Sequence, residues 1–399
     1  MPATQKTRRA VPDGAGSVVL AAALAQRPDR GGHAWVVLSY LLGFRRLGWR
    51  VTLVDRLPAE ACVDRAGAVV APDRSVGYRY ARAVLERFAL AGCYYLLVDG
   101  RPQPVGRSRA ELRVELRRAD FLLNVMGFLD DAELCEDARR RAFLDIDPGF
   151  PQMWADLGQA DVLVGHDVFL TVGTNIGRPG CGIPTLGRPW RATVPPIVME
   201  HWPAQRGPGR AITTIAAWRG PFDPVEHGGA RYGLRAHELR PLAGMVATLA
   251  CPVEMALDID PADAADRQRL LAGGWRLADP TAVAATPDDY RRYVQASIAE
   301  LTVAKGMYVR TASGWFSDRS ACYLASGRPV VAQDTGIGAH LPVGDGLVLF
   351  RDATEARAAL ADVLARYRHH ADAARALAED HLDSDKVLTA LVDSVLEPA

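Results

Sequence analysis

Net charge is the first thing this 399-residue chain lacks: 47 Lys and Arg balance 47 Asp and Glu. A duplex-binding surface shows a basic excess or stripe, so the balance argues against a nucleic-acid partner. Long apolar runs are also missing. None approaches the roughly 20 residues that a membrane-spanning helix needs. The N-terminus, residues 1–16, is polar with no hydrophobic signal core, and the expectation is a disordered tail on a cytoplasmic protein. Cysteine is sparse and scattered (Cys62, Cys93, Cys135, Cys181, Cys251, Cys322), with no Cys-x-x-Cys pair, which reads as reduced thiols and no zinc site. Lysine is scarce beside arginine, alanine and glycine, a bias of base composition more than of function. The Gly-x-Gly-x-x-Gly fingerprint is absent, which disfavours a dinucleotide cofactor. No fixed-period repeat is found.

What is present is alternation. The small-residue apolar run 18–24 reads as a buried parallel strand, the turn 28–33 leads into a helix over 34–47, and a strand over 51–54 ends at Asp55. A helix over 78–88, a strand over 94–98 closed by Asp99, a helix over 109–118, and strands over 121–125 and 142–145 continue the pattern. Residues 162–164 and 197–199 read as further strand ends, and 171–190, rich in Gly, Pro and Asn, as a long functional loop. The Pro/Gly segment 203–209 marks a boundary. Beyond it come a strand over 211–216, a helix over 236–249, a strand over 253–257, and helices over 261–272 and 288–301. The segment 307–309 looks like a strand end, and helices over 354–364, 370–381 and 384–396 close the chain. The expected fold is α/β, with two doubly wound (Rossmann-like) domains facing a cleft. The expected bounds are a tail 1–16, a first domain 17–203, a linker 204–210, a second domain 211–382 and a C-terminal helix in 383–399.

The most informative stretch is 313–336. Ser317 or Asp318 caps a short helix, Gly327 ends it in a left-handed turn, and Pro329-Val330-Val331 opens a strand. A helix start exposes unpaired N–H groups, so a diphosphate fits there, with Arg319 in the first turn. Any crossover of a parallel sheet has the same local pattern. However, Ala325-Ser326-Gly327-Arg328-Pro329-Val330-Val331, then Asp334-Thr335-Gly336, then Asp345-Gly346-Leu347-Val348-Leu349-Phe350 resembles the donor-site end of GT-B-fold glycosyltransferases of the family 1 and family 4 type. The resemblance is good over the C-terminal part of the chain and holds only in outline over the first half. Retaining members carry a pair of acidic residues here, and the corresponding places hold Gly314 and Cys322, with Asp318 nearby.

The resemblance implies metal-independent transfer of a sugar from a nucleotide diphosphate to a small-molecule or glycan acceptor. It implies no cofactor, the donor mainly on 211–382, the acceptor mainly on 17–203, and a last helix that crosses back to the first domain, while the missing acidic pair favours an inverting course. It also places a general base on His33, which follows Gly31-Gly32 in the first β-to-α loop, with Asp99, Asp145 or Asp147 to orient it. His166 and Asp167 are a second polar pair, and with Asp99 and Asn175 are expected at the acceptor. Donor contacts are expected from Trp218, Arg219, Lys305, Ser313, Gly314, Trp315, Ser317, Asp318, Arg319, Ser320, Asp334, Thr335 and Gly336. Carboxylates two apart, Asp145 with Asp147 and Asp258 with Asp260, lack the further ligands a magnesium ion needs, so no metal site is expected. The rival reading is a catalytically silent GT-B-like protein that captures a nucleotide or glycan.

Overall fold

A computed structural model of the chain describes residues 16–397, so the expected tail lies outside the described residues except Gly16, which opens the first strand. The first half contributes seven strands: β1 (Gly16–Ala21), β2 (Trp49–Leu57), β3 (Tyr94–Val98), β4 (Phe121–Val125), β5 (Arg141–Asp145), β6 (Val168–Thr171) and β7 (Trp190–Ala192). They form one parallel sheet in the order β3-β2-β1-β4-β5-β6-β7. Near-continuous apolar runs such as Val18-Val19-Leu20-Ala21 suit strands covered by helices on both faces. The strand order reverses between β1 and β4, so their C-terminal ends open a crevice.

The second half repeats the plan. Strands β8 (Ile212–Ala217), β9 (Val225–His227), β10 (Ala230–Tyr232), β11 (Val253–Asp258), β12 (Arg276–Ala278), β13 (Glu300–Thr302), β14 (Val330–Gln333) and β15 (Leu347–Phe350) follow in order. Six of them make a parallel sheet, β12-β11-β8-β13-β14-β15, while β9 and β10 form a separate hairpin. The second switch point lies between β8 and β13. The chain is therefore α/β with two doubly wound sheets. No helix of the described residues is long and apolar enough to cross a membrane.

Several elements differ from the sequence expectation. Residues 162–164 form a turn, with Val164 67% exposed, and the strand starts at Val168. A short apolar triplet carries no period, and Gly165 at φ +79° ends it. Residues 197–199 make one bridge, from Ile197 to Asp383, and a short 3-10 turn. The helix expected over 288–301 stops at Gln295, and Glu300-Leu301-Thr302 is a fully buried strand. The helix expected over 236–249 ends at Leu239, because Pro241 cannot continue the hydrogen-bond ladder. The helix Gly306–Arg310 replaces the strand end expected at 307–309.

The helices between the two sheets share a core. The Trp35 indole of the helix Gly31–Arg46 donates to the carbonyl of Pro287 at 2.8 Å and packs on Trp202 with ring centroids 4.9 Å apart. A Cβ on Gly31 would sit 2.1 Å from the Thr286 carbonyl oxygen, so glycine is required there by the approach of the second half's backbone. The last helix, Ser384–Leu396, lies on the same helix, where Leu388 fills the space above Gly43 and Asp385 pairs with Arg46 at 2.8 Å. The segment 203–209 runs between the sheets and is tied to the second one by Gln205 N to Ser326 O at 3.0 Å and Arg328 Nη1 to Gly207 O at 2.6 Å.

Candidate functional site

The helix Asp318–Ala325 sets the site. Ser317 caps it by accepting from the Arg319 amide at 3.2 Å, and Gly327 at φ +67° turns the chain back into β14. This places the helix start at the C-terminal ends of β13 and β14, where a cavity of about 260 Å³ opens between Thr302, Gln333, Ile337, Trp315, Ser317 and Ser320. The Ser320 hydroxyl is 1% exposed and has no hydrogen-bond partner. A buried hydroxyl without a partner is costly, so one aimed into a cavity marks a place for a polar ligand.

A larger cavity, about 470 Å³, lies on the other side of Trp315 and Phe316, which wall both. Its first-half wall is Trp35, Ser39 and Tyr40 with Ile146 and the Pro195-Pro196 turn, and its second-half wall includes Asp318. Asp318 keeps part of its surface exposed, and among the described residues its carboxyl is met by no side-chain hydrogen bond; its own amide faces it. Loss of hydration pushes its pKa up, and the Arg319 charge opposes the shift.

Beneath the cavities the two halves meet through Lys305. Its Nζ lies 2.5 Å from Asp147 Oδ1 and over the rings of Phe150 at 4.9 Å, Phe222 at 5.3 Å and Tyr308 at 5.3 Å. The Tyr308 hydroxyl donates to the same Asp147 oxygen, and the Tyr308 ring stacks on Trp315 at 4.4 Å. Burial holds the Lys305 ammonium below its ordinary pKa, with Asp147 pulling it back up. Arg235 adds a second cation, donating to Val303 O at 2.9 Å, its pKa brought down to about 10 by burial and then by Arg319.

The loop 172–189 is a clamp. Gly173 pairs with Trp315 as an isolated bridge, Thr174 Oγ1 donates to Gly314 O at 2.9 Å, and Asn175 N donates to Ser313 O at 3.0 Å. Asn175 Nδ2 donates to Ala312 O at 2.9 Å and Gly336 O at 3.2 Å, and its Oδ1 meets His340 Nε2 at 2.9 Å. Asn175, Gly314 and Gly336, expected at the ligands, are thus spent on joining the halves. Gly314 at φ +71° and Gly336 at φ +86° have no room for a Cβ beside Thr174 and Asn175. Ser313 and Thr335 are buried beside them, bonded to Tyr308 O at 3.3 Å and Trp315 O at 2.6 Å.

Other expected site residues are placed elsewhere. Arg319 is turned into the sheet, where it meets Glu300 Oε1 and Thr302 Oγ1, each at 2.5 Å, and Ile215 O at 2.6 Å, because the buried Glu300 carboxylate needs a cation. Asp145 is fully buried, accepting from Gln152 at 2.7 Å, Thr171 at 2.9 Å and the Asp147 amide at 3.0 Å, and burial raises its pKa to about 7. His33 Nε2 donates to Ala23 O at 2.6 Å, and burial lowers its pKa, so the ring is neutral with Nδ1 unprotonated; it lines neither cavity. Trp218 is a core residue, and Arg219 is exposed with Asp263 at 2.7 Å. Asp334 caps the turn at Gly336 and pairs loosely with Arg351 at 3.4 Å. Asp99 pairs with Arg56 at 2.6 Å on the strand at the far edge of the first sheet. His166 bonds Asn124 at 3.0 Å, and Asp167 bonds Arg141 at 3.0 Å at the N-terminal end of β6, opposite the crevice.

Sequence reasoning missed Glu300, Tyr308, Arg235 and the cavity wall of the first helix. Tyr308 lies three residues past Lys305 at a helix start, a spacing that carries the signal, whereas Glu300 was hidden inside a misread helix. Among the described residues no group of three or more His, Cys, Asp or Glu side chains is gathered to hold a metal ion.

No family model matches the chain, and no curated protein matches its sequence. Solved structures do match its shape. An alpha-glucosyltransferase in complex with UDP and a 13-mer DNA aligns with TM-score 0.58 at 10% identity, covering 96% of this chain and 100% of its own. Anabaena Alr3699/HepE in complex with UDP and glucose aligns with TM-score 0.60 at 10% identity, covering 95% and 99%. AviGT4, a glycosyltransferase involved in avilamycin A biosynthesis, aligns with TM-score 0.54 at 14% identity, covering 95% and 97%. Two doubly wound sheets, cavities at their facing strand ends and these whole-chain alignments together establish that the chain has the GT-B glycosyltransferase fold.

Proposed function

We propose that this chain transfers a sugar, as hexosyl or a related glycosyl group, from a nucleotide diphosphate to an acceptor hydroxyl, with inversion and without a metal or other cofactor. The observation that carries the reading is the Ser320 hydroxyl, buried without a partner in a small cavity at a helix start. Unpaired first-turn amides and the helix dipole suit a leaving diphosphate, and Ser317 and Ser320 add hydroxyls. Lys305 and Arg235 line neither cavity but stand as buried cations behind the Tyr308–Trp315 stack that walls them, and in this reading their charge takes the role first given to Arg319. Support from outside the chain is that the alpha-glucosyltransferase and Alr3699/HepE structures carry UDP. The zero net charge favours a small-molecule or glycan acceptor over DNA, although the alpha-glucosyltransferase was solved with DNA. We place the reaction in the cytoplasm.

In this reading Asp147 orients Lys305, and His33 holds the β1-to-helix loop through Ala23. Calorimetry with UDP, dTDP, GDP and ADP tests the donor: saturable binding of at least one is expected, and no binding by any overturns the proposal. A catalytically silent binding protein is the second reading, favoured by the burial of Arg319 against Glu300. Slow hydrolysis of the matching sugar nucleotide without acceptor separates the two, since a silent binder leaves it intact.

A further inference from the structure

Two segments cross between the halves, one from each side. The second half sends the β9-β10 hairpin and the residues before it onto the helix Phe150–Asp156 of the first. There Phe222 packs on Phe150 and on Trp154, ring centroids 4.9 Å apart in each pair, and His227 Nε2 meets Asp156 Oδ2 at 2.6 Å. The first half sends back the loop 172–189, which lies on 311–315 through Thr174, Asn175 and Gly182.

Different forces hold the two crossings. The hairpin side buries Phe150, Met153, Val225 and Met307, and water gives nothing in place of that apolar contact when it parts. On the loop side Ile176 and Ile183 are buried, but none of the residues between them is. The contacts there are hydrogen bonds to the carbonyls of Ala312, Ser313, Gly314 and Gly336, and from Gly182 N to Thr311 O at 2.8 Å. Each contributes little net, because water takes over the groups once they separate. A segment with few buried apolar contacts opens before the rest of the fold. The opposing segment is also strained: Ala312 sits at φ +48°, a left-handed conformation costly for alanine, and its carbonyl is one that the Asn175 amide holds.

What the loop grips is the wall of the cleft. Residues 311–315 lead directly into Phe316 and the Ser317 cap, and Trp315 and Phe316 wall both cavities. Gly336, also gripped by Asn175, precedes Ile337, which lines the small cavity. With the loop seated, the space beside Ser320 is about 260 Å³, below the ~300–1,000 Å³ of sites that take a whole small molecule. A nucleotide diphosphate carrying its sugar does not fit there until the wall moves.

We infer that the loop 172–189 is an autoinhibitory latch: seated on 311–315 and Gly336 through Thr174 and Asn175, it holds the cleft shut, and a nucleotide diphosphate reaches the helix start only after the latch releases. The identity of that ligand rests on the glycosyl-transfer reading above; the latch does not. Release is a two-state equilibrium, and the fraction of molecules that are open scales the apparent affinity of anything that binds the open form. Weakening the latch therefore tightens binding. Truncating an asparagine that touched the ligand would do the opposite.

The experiment has two arms. In the first, amide hydrogen exchange is compared in the full chain without nucleotide for wild type, Asn175→Ala and Thr174→Ala, two variants so that one failing to fold does not leave the arm empty. Faster exchange confined to 173–182 and 311–316 is expected in the variants, with the hairpin 225–232 still protected. Unchanged exchange, or a rise shared by both sheets, overturns the latch. In the second arm UDP, dTDP, GDP and ADP are titrated calorimetrically into the same three proteins. A Kd lower by roughly tenfold or more in Asn175→Ala, in spite of a lower melting temperature, is expected of a lost latch. A Kd unchanged or raised by the truncation overturns the gating of the site. Absence of binding in all three proteins defeats the glycosyl-transfer reading and the nucleotide as the gated ligand, while the first arm still decides the latch.

Discussion

Lys305 and Asp147 meet across the two sheets, ammonium to carboxylate at 2.5 Å, with the Tyr308 hydroxyl on the same oxygen. Aromatic rings surround the ammonium, so removing the carboxylate leaves a charge with little water to replace it. Asp147→Ala is expected to lower stability by about 3 kcal/mol, the scale for a buried pair broken on one side. The double variant Asp147→Ala with Lys305→Met is expected to recover part of that loss. Urea unfolding of the single and double variants measures the coupling, and simple additivity would show that the two groups do not interact.

Gly31 shows how closely the halves approach. A Cβ there would stand 2.1 Å from the Thr286 carbonyl oxygen and 2.8 Å from that of Ala284, both backbone atoms with no rotamer to yield. Gly31→Ala is therefore expected to cost about 1–3 kcal/mol by overpacking, and to loosen the Trp35 indole from Pro287. A lower melting temperature and a red-shifted tryptophan emission are the readouts. An unchanged melting temperature would mean that the halves separate more freely than this contact implies.

The buried carboxyl of Asp145 gives a pH prediction. Its ordinary pKa of 3.8 rises to about 7 in the fold, mainly through desolvation. The folded state thus binds the proton more tightly than the unfolded chain does. Its contribution to stability is complete at acid pH and is lost as pH climbs from about 4 to about 7, a change of about 4 kcal/mol at most. Asp145→Asn is expected to be less stable at pH 5, because its amide meets the Gln152 amide donor. It should also lack the wild-type slope between pH 5 and 7. Parallel unfolding curves for the two proteins across that range would place Asp145 outside the titration.

The elements best legible in the sequence were those with a marked end. Ser317 at a cap, Gly327 in a left-handed turn and Pro329 before β14 fixed the central helix, and the fold followed from its repetition of strand and helix. Side-chain direction was not legible. Arg319 sits in the right turn for a phosphate ligand, but its partner Glu300 lies on a strand that periodicity cannot reveal, being three buried residues long. The stretch 171–190 read as a functional loop, with Asn175 at the acceptor, because a Gly-, Pro- and Asn-rich composition is shared by ligand loops and by clamps that need close backbone approach. Only the opposing segment 311–315 distinguishes them.

Arg319 then carries a stability prediction in place of a binding one. Arg319→Ala leaves the fully buried Glu300 carboxylate without its cation, and a loss of about 3–5 kcal/mol is expected. Arg319→Ala with Glu300→Gln should regain stability relative to Arg319→Ala alone, read by thermal unfolding. A well-folded Arg319→Ala with weakened nucleotide binding would restore the ligand role read from the sequence.

Ser320, next to Arg319 in the same first turn of the helix, carries the opposite pair of effects. Its hydroxyl is buried with no partner, so it adds nothing to the stability of the empty protein and carries the cost of its lost hydration. Ser320→Ala is therefore expected to leave the melting temperature unchanged or slightly raised. A diphosphate in the small cavity would accept a hydrogen bond from that hydroxyl, and a bond to a charged group contributes about 1.5–3 kcal/mol. The same variant should bind the nucleotide diphosphate more weakly by that amount, seen as a roughly tenfold or greater rise in Kd by calorimetry. A stable variant with unchanged affinity would show that the helix start holds no phosphate, and the donor would have to be sought elsewhere in the cleft.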